Sequence, residues 1–373
     1  MKIVHITNFY SPRSGGIKTT MHELGFRYQQ LGLEFIYVIP GIRYSVDATA
    51  CGIQISLPSI PVPFSGGYRI IRSNRSVKRL LMTLRPNRIE VSDRLTLRGI
   101  GNWASRRKIS TVVFSHESLA ALVERFLKFP FLQKIVDWHN RRLAKSFDWV
   151  ITSTEYAAKE FKKIETTNLR KIPLGVDLEA FQPLRRDEKL RDELLAGDEL
   201  LIVHCGRLSI EKNPEVSLKT LLELRERGVK ARLVYIGMGP LFEKLKKSAA
   251  GLPVSFLGYI VGPTKVATIL ASADVVIAPG PHETFCLAAL EALACGTPVI
   301  ASSKSAVGEL LSNDAGLATG RVCGDEISEW ADAVSALAHQ EGLRSRCRSQ
   351  AERFSWNTTV KELLSTAHME NAA

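Results

Sequence analysis

The chain has 373 residues, 50 Lys+Arg against 38 Asp+Glu and a formal net charge of +12. Its 45% hydrophobic and 24% charged residues fit a folded globular chain and exclude disordered, collagen-like and fibrous classes. The length suits two domains of ordinary size, and no uninterrupted apolar run reaches the roughly 18 residues that a membrane span needs.

The opening Met1-Lys2-Ile3-Val4-His5-Ile6 is a short apolar burst that breaks at Asn8. It reads as a first strand, because a signal peptide needs a longer apolar region and a small-residue cleavage site. Apolar runs at residues 3–7, 35–39, 89–92, 111–114 and 149–152 read as buried parallel strands. Between them, Val77, Leu80, Leu81 and Leu84 recur at i, i+3, i+4 and i+7, as do Leu119, Leu122, Val123 and Phe126, the stripe of an amphipathic helix. Turn chemistry at Pro173-Leu174-Gly175-Val176-Asp177 ends this series. A polar, charge-rich stretch at 185–199 follows, and the alternation restarts with strands expected at 201–204, 232–236, 254–257, 275–278 and 299–301. A last amphipathic stretch runs from Trp356 to His368.

Two such series predict an α/β protein with two Rossmann-like, doubly wound domains facing across a cleft. The expected division is 1–178, 179–353 and a C-terminal helix in 354–373 that crosses back to the first domain. The charge follows this division. Residues 1–178 hold 28 Lys+Arg and 13 Asp+Glu, a net of +15, whereas 179–373 hold 22 and 25, a net of −3. A half this basic attracts a polyanion, whether nucleic acid, an anionic membrane or a phosphorylated substrate, and composition does not choose among them. The six cysteines include no C-x-x-C pair and no zinc-like spacing, which fits free buried thiols in a reducing compartment.

Four clusters sit where loops leave predicted strands, the edge at which α/β sheets bind ligands. The strongest is Pro281-His282-Glu283-Thr284-Phe285-Cys286-Leu287, running into a helix that carries Glu291. The first helical turn offers backbone N–H groups to an anion, and the carboxylates of Glu283 and Glu291 can each accept two hydrogen bonds from vicinal hydroxyls. The second is Gly206-Arg207-Leu208-Ser209-Ile210-Glu211-Lys212, in which a guanidinium fork and an ammonium can straddle a diphosphate. The third is the Gly15-Gly16 turn, which opens a helix but matches neither a P-loop nor G-x-G-x-x-G; alone it also reads as a plain tight turn. The fourth is His116 in Ser115-His116-Glu117, and a lone histidine is more often structural. No two Asp residues stand two apart, so no D-x-D motif calls for a tightly bound divalent metal.

Taken together, these blocks resemble the retaining, family-four glycosyltransferases of the GT-B fold over essentially the whole chain. The Glu283-x7-Glu291 element, Gly206-Arg207 with Lys212, Gly15-Gly16 and His116 fall in family order. The segments at 8–16, 90–98, 115–117 and 278–285 are similar to the branch that is GDP-mannose-dependent and mannosylates phosphatidylinositol mannosides. The resemblance implies that Arg207 and Lys212 hold the donor diphosphate and that Glu291 meets the ribose. It further implies that Glu283, with the backbone of Thr284, Phe285, Cys286 and Leu287, positions the mannose. Gly15 and Gly16 would let the phosphate approach, and His116 would contact the transferred sugar. Front-face attack, with the leaving phosphate taking the acceptor proton, makes catalysis mainly positioning and electrostatics. The family carries Gly where this chain has Cys286, so a side chain there is expected to crowd the sugar or phosphate.

Arg69, Arg72, Arg75, Lys78, Arg79, Arg85 and Arg88 cluster around the helix of Val77–Leu84, and Phe126-Leu127-Lys128-Phe129-Pro130-Phe131-Leu132 is unusually apolar. The charges read equally as the solvated face of a helix whose other face is buried; with a lipid acceptor implied, they point to a peripheral enzyme at the cytoplasmic face of the membrane, held by its basic first domain. A nucleic-acid partner is not expected, because no aromatic–basic platform or reading helix accompanies the charge. The missing dinucleotide fingerprint opposes an oxidoreductase.

Overall fold

The computed structural model describes residues 1–10, 15–63, 67–119, 130–312 and 318–368. The chain folds as two compact units, one made of Met1–Leu174 with Trp356–Ala373 and the other of Gly175–Ser355. The division falls at Leu174–Gly175 and Ser355–Trp356, a few residues from the expected 178 and 353. The reason is local: Val176 N–H bonds to Phe354 O at 3.1 Å and Val176 pairs with Ser355, so the two connecting segments run side by side inside the second unit.

The first unit is a nine-stranded sheet. Its strands are β1 (Lys2–Ile6), β2 (Glu34–Gly41), β3 (Ser45–Thr49), β4 (Gly52–Pro61), β5 (Arg69–Ile71), β6 (Arg88–Val91), β7 (Ser110–Phe114), β8 (Trp149–Thr152) and β9 (Leu169–Lys171). The order is β3-β4-β2-β1-β6-β7-β8-β9, with β5 paired to β4. Pairing is parallel except where β3 and β5 join β4 antiparallel. The central strands are apolar on both faces, as parallel strands between helices must be: Ile3, Val4, Ile6, Ile89, Val91, Val112 and Val113 are all fully buried. The helix Trp356–His368 returns to this unit, where Trp149 Nε1 donates to Thr366 O at 3.0 Å and Thr359 Oγ1 to Pro173 O at 2.8 Å.

The second unit is a six-stranded, all-parallel sheet of β10 (Leu200–Cys205), β11 (Ala231–Ile236), β12 (Val254–Gly258), β13 (Val275–Ala278), β14 (Val299–Ser302) and β15 (Gly320–Cys323). The order is β12-β11-β10-β13-β14-β15. Each sheet therefore has a topological switch point where strand order reverses, between β1 and β6 in the first unit and between β10 and β13 in the second. Loops leaving those paired strands diverge to opposite sides and open a crevice. The charge-rich 185–199 stretch contains a helix, Glu188–Leu195, whose first turn is capped by Asp187 accepting from Leu190 N–H at 3.0 Å. The expected helix through Leu122, Val123 and Phe126, and the apolar segment 126–129, lie outside the described residues.

Candidate active site

In the second unit, the sequence-predicted residues converge on the switch point. Gly206, Arg207 and Lys212 leave β10; Glu283, Thr284, Phe285 and Cys286 leave β13; and Leu287 begins the helix that carries Glu291. The β10 and β11 loops run in contact, with Gly206 N–H bonded to Ile236 O at 2.9 Å and Leu208 N–H to Met238 O at 3.2 Å. A Cβ on Gly237, whose φ is +130°, would meet Gly206 O at 1.9 Å, so only glycine fits between these loops.

Lys212 closes a short 3-10 turn, Ile210–Lys212, and its Nζ donates to Glu283 Oε1. Burial works against the ammonium charge, but the Glu283 carboxylate outweighs it and holds Lys212 above its ordinary value. Glu283 is fixed from behind, its carbonyl accepting from Ala306 N–H at 2.8 Å. Phe285 is buried, its ring packed edge-on against Phe354 at 6.3 Å, so only its backbone is available to a ligand. Cys286 sits at φ 71° as the N-cap of Leu287–Ala294 and supplies no side-chain cap. Ala289 N–H bonds back to Cys286 O at 3.1 Å, which leaves the N–H groups of Leu287 and Ala288 at the head of the helix with its partial positive charge.

This geometry explains why glycine suits position 286. A left-handed backbone costs a non-glycine residue roughly 1–2 kcal/mol, and Cys286 carries that strain. Burial, then the Glu283 carboxylate, pushes its thiol up to about 12. Burial, then the Glu291 carboxylate, raises the thiol of Cys205 at the end of β10. The β10 and β13 loops are thus joined by the Lys212–Glu283 pair, with Arg207 and Glu211 in the first loop and the head of the helix carrying Glu291 at the end of the second.

In the first unit, Gly15 and Gly16 follow β1 at the start of the helix Gly16–Gln30, and a Cβ on either would meet no atom within 4 Å. His116 follows β7. Its ring stacks on Phe114 at 5.6 Å, and Nε2 lies 2.8 Å from Ser92 Oγ. Burial, then His5, lowers its pKa from 6.5 to about 3, so it is neutral at neutral pH. The loop bearing it is pinned by Arg94, which donates to Ser115 Oγ and Glu117 O at 2.7 Å and pairs with buried Glu160. Gly15, Gly16 and His116 thus belong to the first unit, and all the other candidate residues to the second.

The structure corrects one expectation. Arg88 is not part of an exposed basic face: it is 1% exposed and donates from Nε to Glu90 Oε1 at 2.9 Å and from a terminal nitrogen to Thr366 Oγ1 at 3.0 Å. Arg72, Arg75, Arg79 and Arg85 are exposed as expected. Sequence reading missed the buried group around Arg88. Its signal was present, because His5 and Glu90 are ionisable residues inside otherwise apolar strand runs. Among the described residues, no cluster of three His, Cys, Asp or Glu side chains is arranged to hold a metal ion, and no helix is long and apolar enough to cross a membrane.

Comparison with known families fits this architecture. Residues 14–180 match "Glycosyltransferase Family 4" and residues 185–354 match "Glycosyl transferases group 1". The chain belongs to the family-four glycosyltransferases, and its two Rossmann-like units are those of the GT-B fold. Among its relatives is the GDP-mannose-dependent alpha-(1-6)-phosphatidylinositol dimannoside mannosyltransferase of Mycobacterium tuberculosis, 43% identical over 370 residues, covering 98% of this chain and 96% of that one. A D-inositol 3-phosphate glycosyltransferase of Actinosynnema mirum is 34% identical over 237 residues, covering 58% of this chain and 56% of the relative. Solved structures share the fold. Sucrose-phosphate synthase from Thermosynechococcus elongatus has a TM-score of 0.79 at 19% identity, covering 100% of this chain and 99% of that one. HepE of Anabaena, in complex with UDP and glucose, has a TM-score of 0.76 at 17% identity, covering 99% and 100%.

Proposed function

We propose that the chain transfers mannose from GDP-mannose to a phosphatidylinositol-mannoside lipid with retention of configuration. The observation that carries this reading is the end-to-end likeness, 43% over 98% of the chain, to a mannosyltransferase named for that donor and lipid class. The loop cluster of the second unit supports it, since it offers the groups a nucleoside diphosphate sugar needs.

In this reading Arg207 and Lys212 bind the diphosphate, each charge-assisted bond worth about 1.5–3 kcal/mol, and stabilise the charge that develops as the phosphate leaves. Glu291 accepts from the ribose hydroxyls. Glu283 and the backbone from Thr284 to Leu287 orient the mannose. Glu283 already holds Lys212, so donor binding exchanges one partner of the ammonium for a phosphate oxygen. Gly15 and Gly16 leave the β-phosphate room to approach, and His116 contacts the transferred sugar. The leaving phosphate takes the acceptor proton, and no tightly bound metal takes part. The exposed arginines at 72, 75, 79 and 85 support a peripheral enzyme that works on the anionic cytoplasmic face of the membrane, and no nucleic-acid partner is expected.

The test is turnover of radiolabelled GDP-mannose by the purified chain with phosphatidylinositol mannosides carrying one, two or three mannoses. A labelled lipid product, absent when UDP-glucose replaces the donor, is expected. No lipid-linked product with any of these acceptors would remove the assignment.

A further inference from the structure

Behind His116 lies a chain of buried polar groups that the proposed chemistry does not use. Glu90 is fully buried on β6, and Tyr28 Oη and Arg88 Nε each donate to its Oε1 at 2.9 Å. Its other oxygen, Oε2, lies 3.2 Å from Nδ1 of fully buried His5 on β1, an electrostatic contact off the ideal hydrogen-bond direction. His5 Nε2 is 2.8 Å from Ser92 Oγ, and the same hydroxyl is 2.8 Å from His116 Nε2. The Phe114 ring lies between the two imidazoles, stacked on His5 at 5.4 Å and on His116 at 5.6 Å. Three adjacent parallel strands thus align a carboxylate, an imidazole, a hydroxyl and a second imidazole.

We propose that Ser92 and His5, backed by the Glu90 carboxylate, are positioning residues that fix the ring of His116 and hold it in one tautomer. Only one proton sits on the Ser92 oxygen, so the hydroxyl donates to one histidine and accepts from the other. The Glu90 carboxylate selects the direction. Burial opposes its charge, but His5 and Arg88 outweigh burial and keep it below the ordinary carboxylate value. With a single ring proton on His5, the Glu90 carboxylate 3.2 Å away draws it to Nδ1, leaving Nε2 to accept from Ser92. Ser92 Oγ then accepts from Nε2–H of His116, and His116 Nδ1 carries the lone pair. The arrangement follows the general rule that the partner of one imidazole nitrogen decides the state of the other. It makes His116 an acceptor for a substrate hydroxyl. This last step rests on the reading that His116 touches the transferred sugar.

The test is histidine-¹⁵N NMR of the full chain, with the His116 ring assigned by its loss in His116→Gln, combined with steady-state transfer. The Nε2–H tautomer is expected in the unmutated protein at pH 7.5. Ser92→Ala should give a mixed tautomer and lower kcat about tenfold at nearly constant donor KM. Ser92→Thr, which keeps the hydroxyl, should restore both. A His116 ring protonated on Nδ1, or a ring spectrum unchanged in Ser92→Ala, would overturn the proposal. Full transfer by His116→Ala would instead overturn the reading of His116 as a substrate contact, while the ring spectrum still decides the relay on its own.

Discussion

The two switch points solve the same problem with opposite means. In the second unit the charges stand in loops: Lys212 has a third of its side chain exposed, and the cluster is shaped by backbone, a left-handed cap and two carboxylates. In the first unit the charges lie inside the sheet, where Arg88 and Glu90 are 1% and 0% exposed and every neighbour is part of the core. A loop charge is cheap to hold and available to a ligand. A charge in the sheet is costly to strip of water and can only act through what it touches. The first is suited to gripping a diphosphate and the second to orienting one ring.

Removing one partner from each pair should expose that difference most strongly. Glu90→Gln leaves the Arg88 cation buried without a counter-charge and is expected to cost about 3–5 kcal/mol in urea unfolding. Glu283→Gln removes the partner of a partly exposed cation and should cost about 1 kcal/mol or less, while still impairing transfer. Equal losses of stability in the two variants would break the contrast.

Acid should act through the interior. His204 is 1% exposed, and burial first, then Lys212, lowers its pKa from 6.5 to about 3; His116 is lowered similarly. The unfolded chain binds these protons and the folded chain does not, so stability is full above about pH 7 and falls as the pH drops below 6.5. The fully buried His204 removes about 1.4 kcal/mol per pH unit, and the partly buried His116 less. Urea midpoints between pH 7.5 and 5.5 check the slope, and His204→Gln should flatten it. The smallest effect concerns Cys286. With its thiol pushed up to about 12, it should resist iodoacetamide at pH 8 in the folded protein. Cys286→Gly should change stability by less than about 1 kcal/mol, because relief of the left-handed strain offsets the added freedom of the unfolded chain.

Most of the sheet was legible in the sequence because buried parallel strands are short apolar runs. Those that escaped lack such runs: β3 is mostly exposed, β4 alternates Ile53, Ile55 and Leu57 with polar residues, β5 and β9 have three residues each, and β15 reads Gly-Arg-Val-Cys. The helix Glu188–Leu195 escaped because its face is mostly charged, although Asp187 stands as its cap. The loop cluster was legible because it is built from two local motifs, 206–212 and 281–291, and local spacing is what a motif records, even though Lys212 meets Glu283 across 71 positions. The relay was not, since Ser92 meets His5 across 87 positions and Glu90 meets Tyr28 across 62. Only folding brings those residues together.

In the proposed reading the loops of the second unit hold the nucleotide diphosphate. Calorimetric titration of GDP into the unmutated chain, Lys212→Ala and Ser92→Ala tests it most directly. Affinity is expected to fall about tenfold or more in Lys212→Ala and to stay unchanged in Ser92→Ala. Equal affinity in Lys212→Ala and the unmutated chain, or a loss confined to Ser92→Ala, would contradict it.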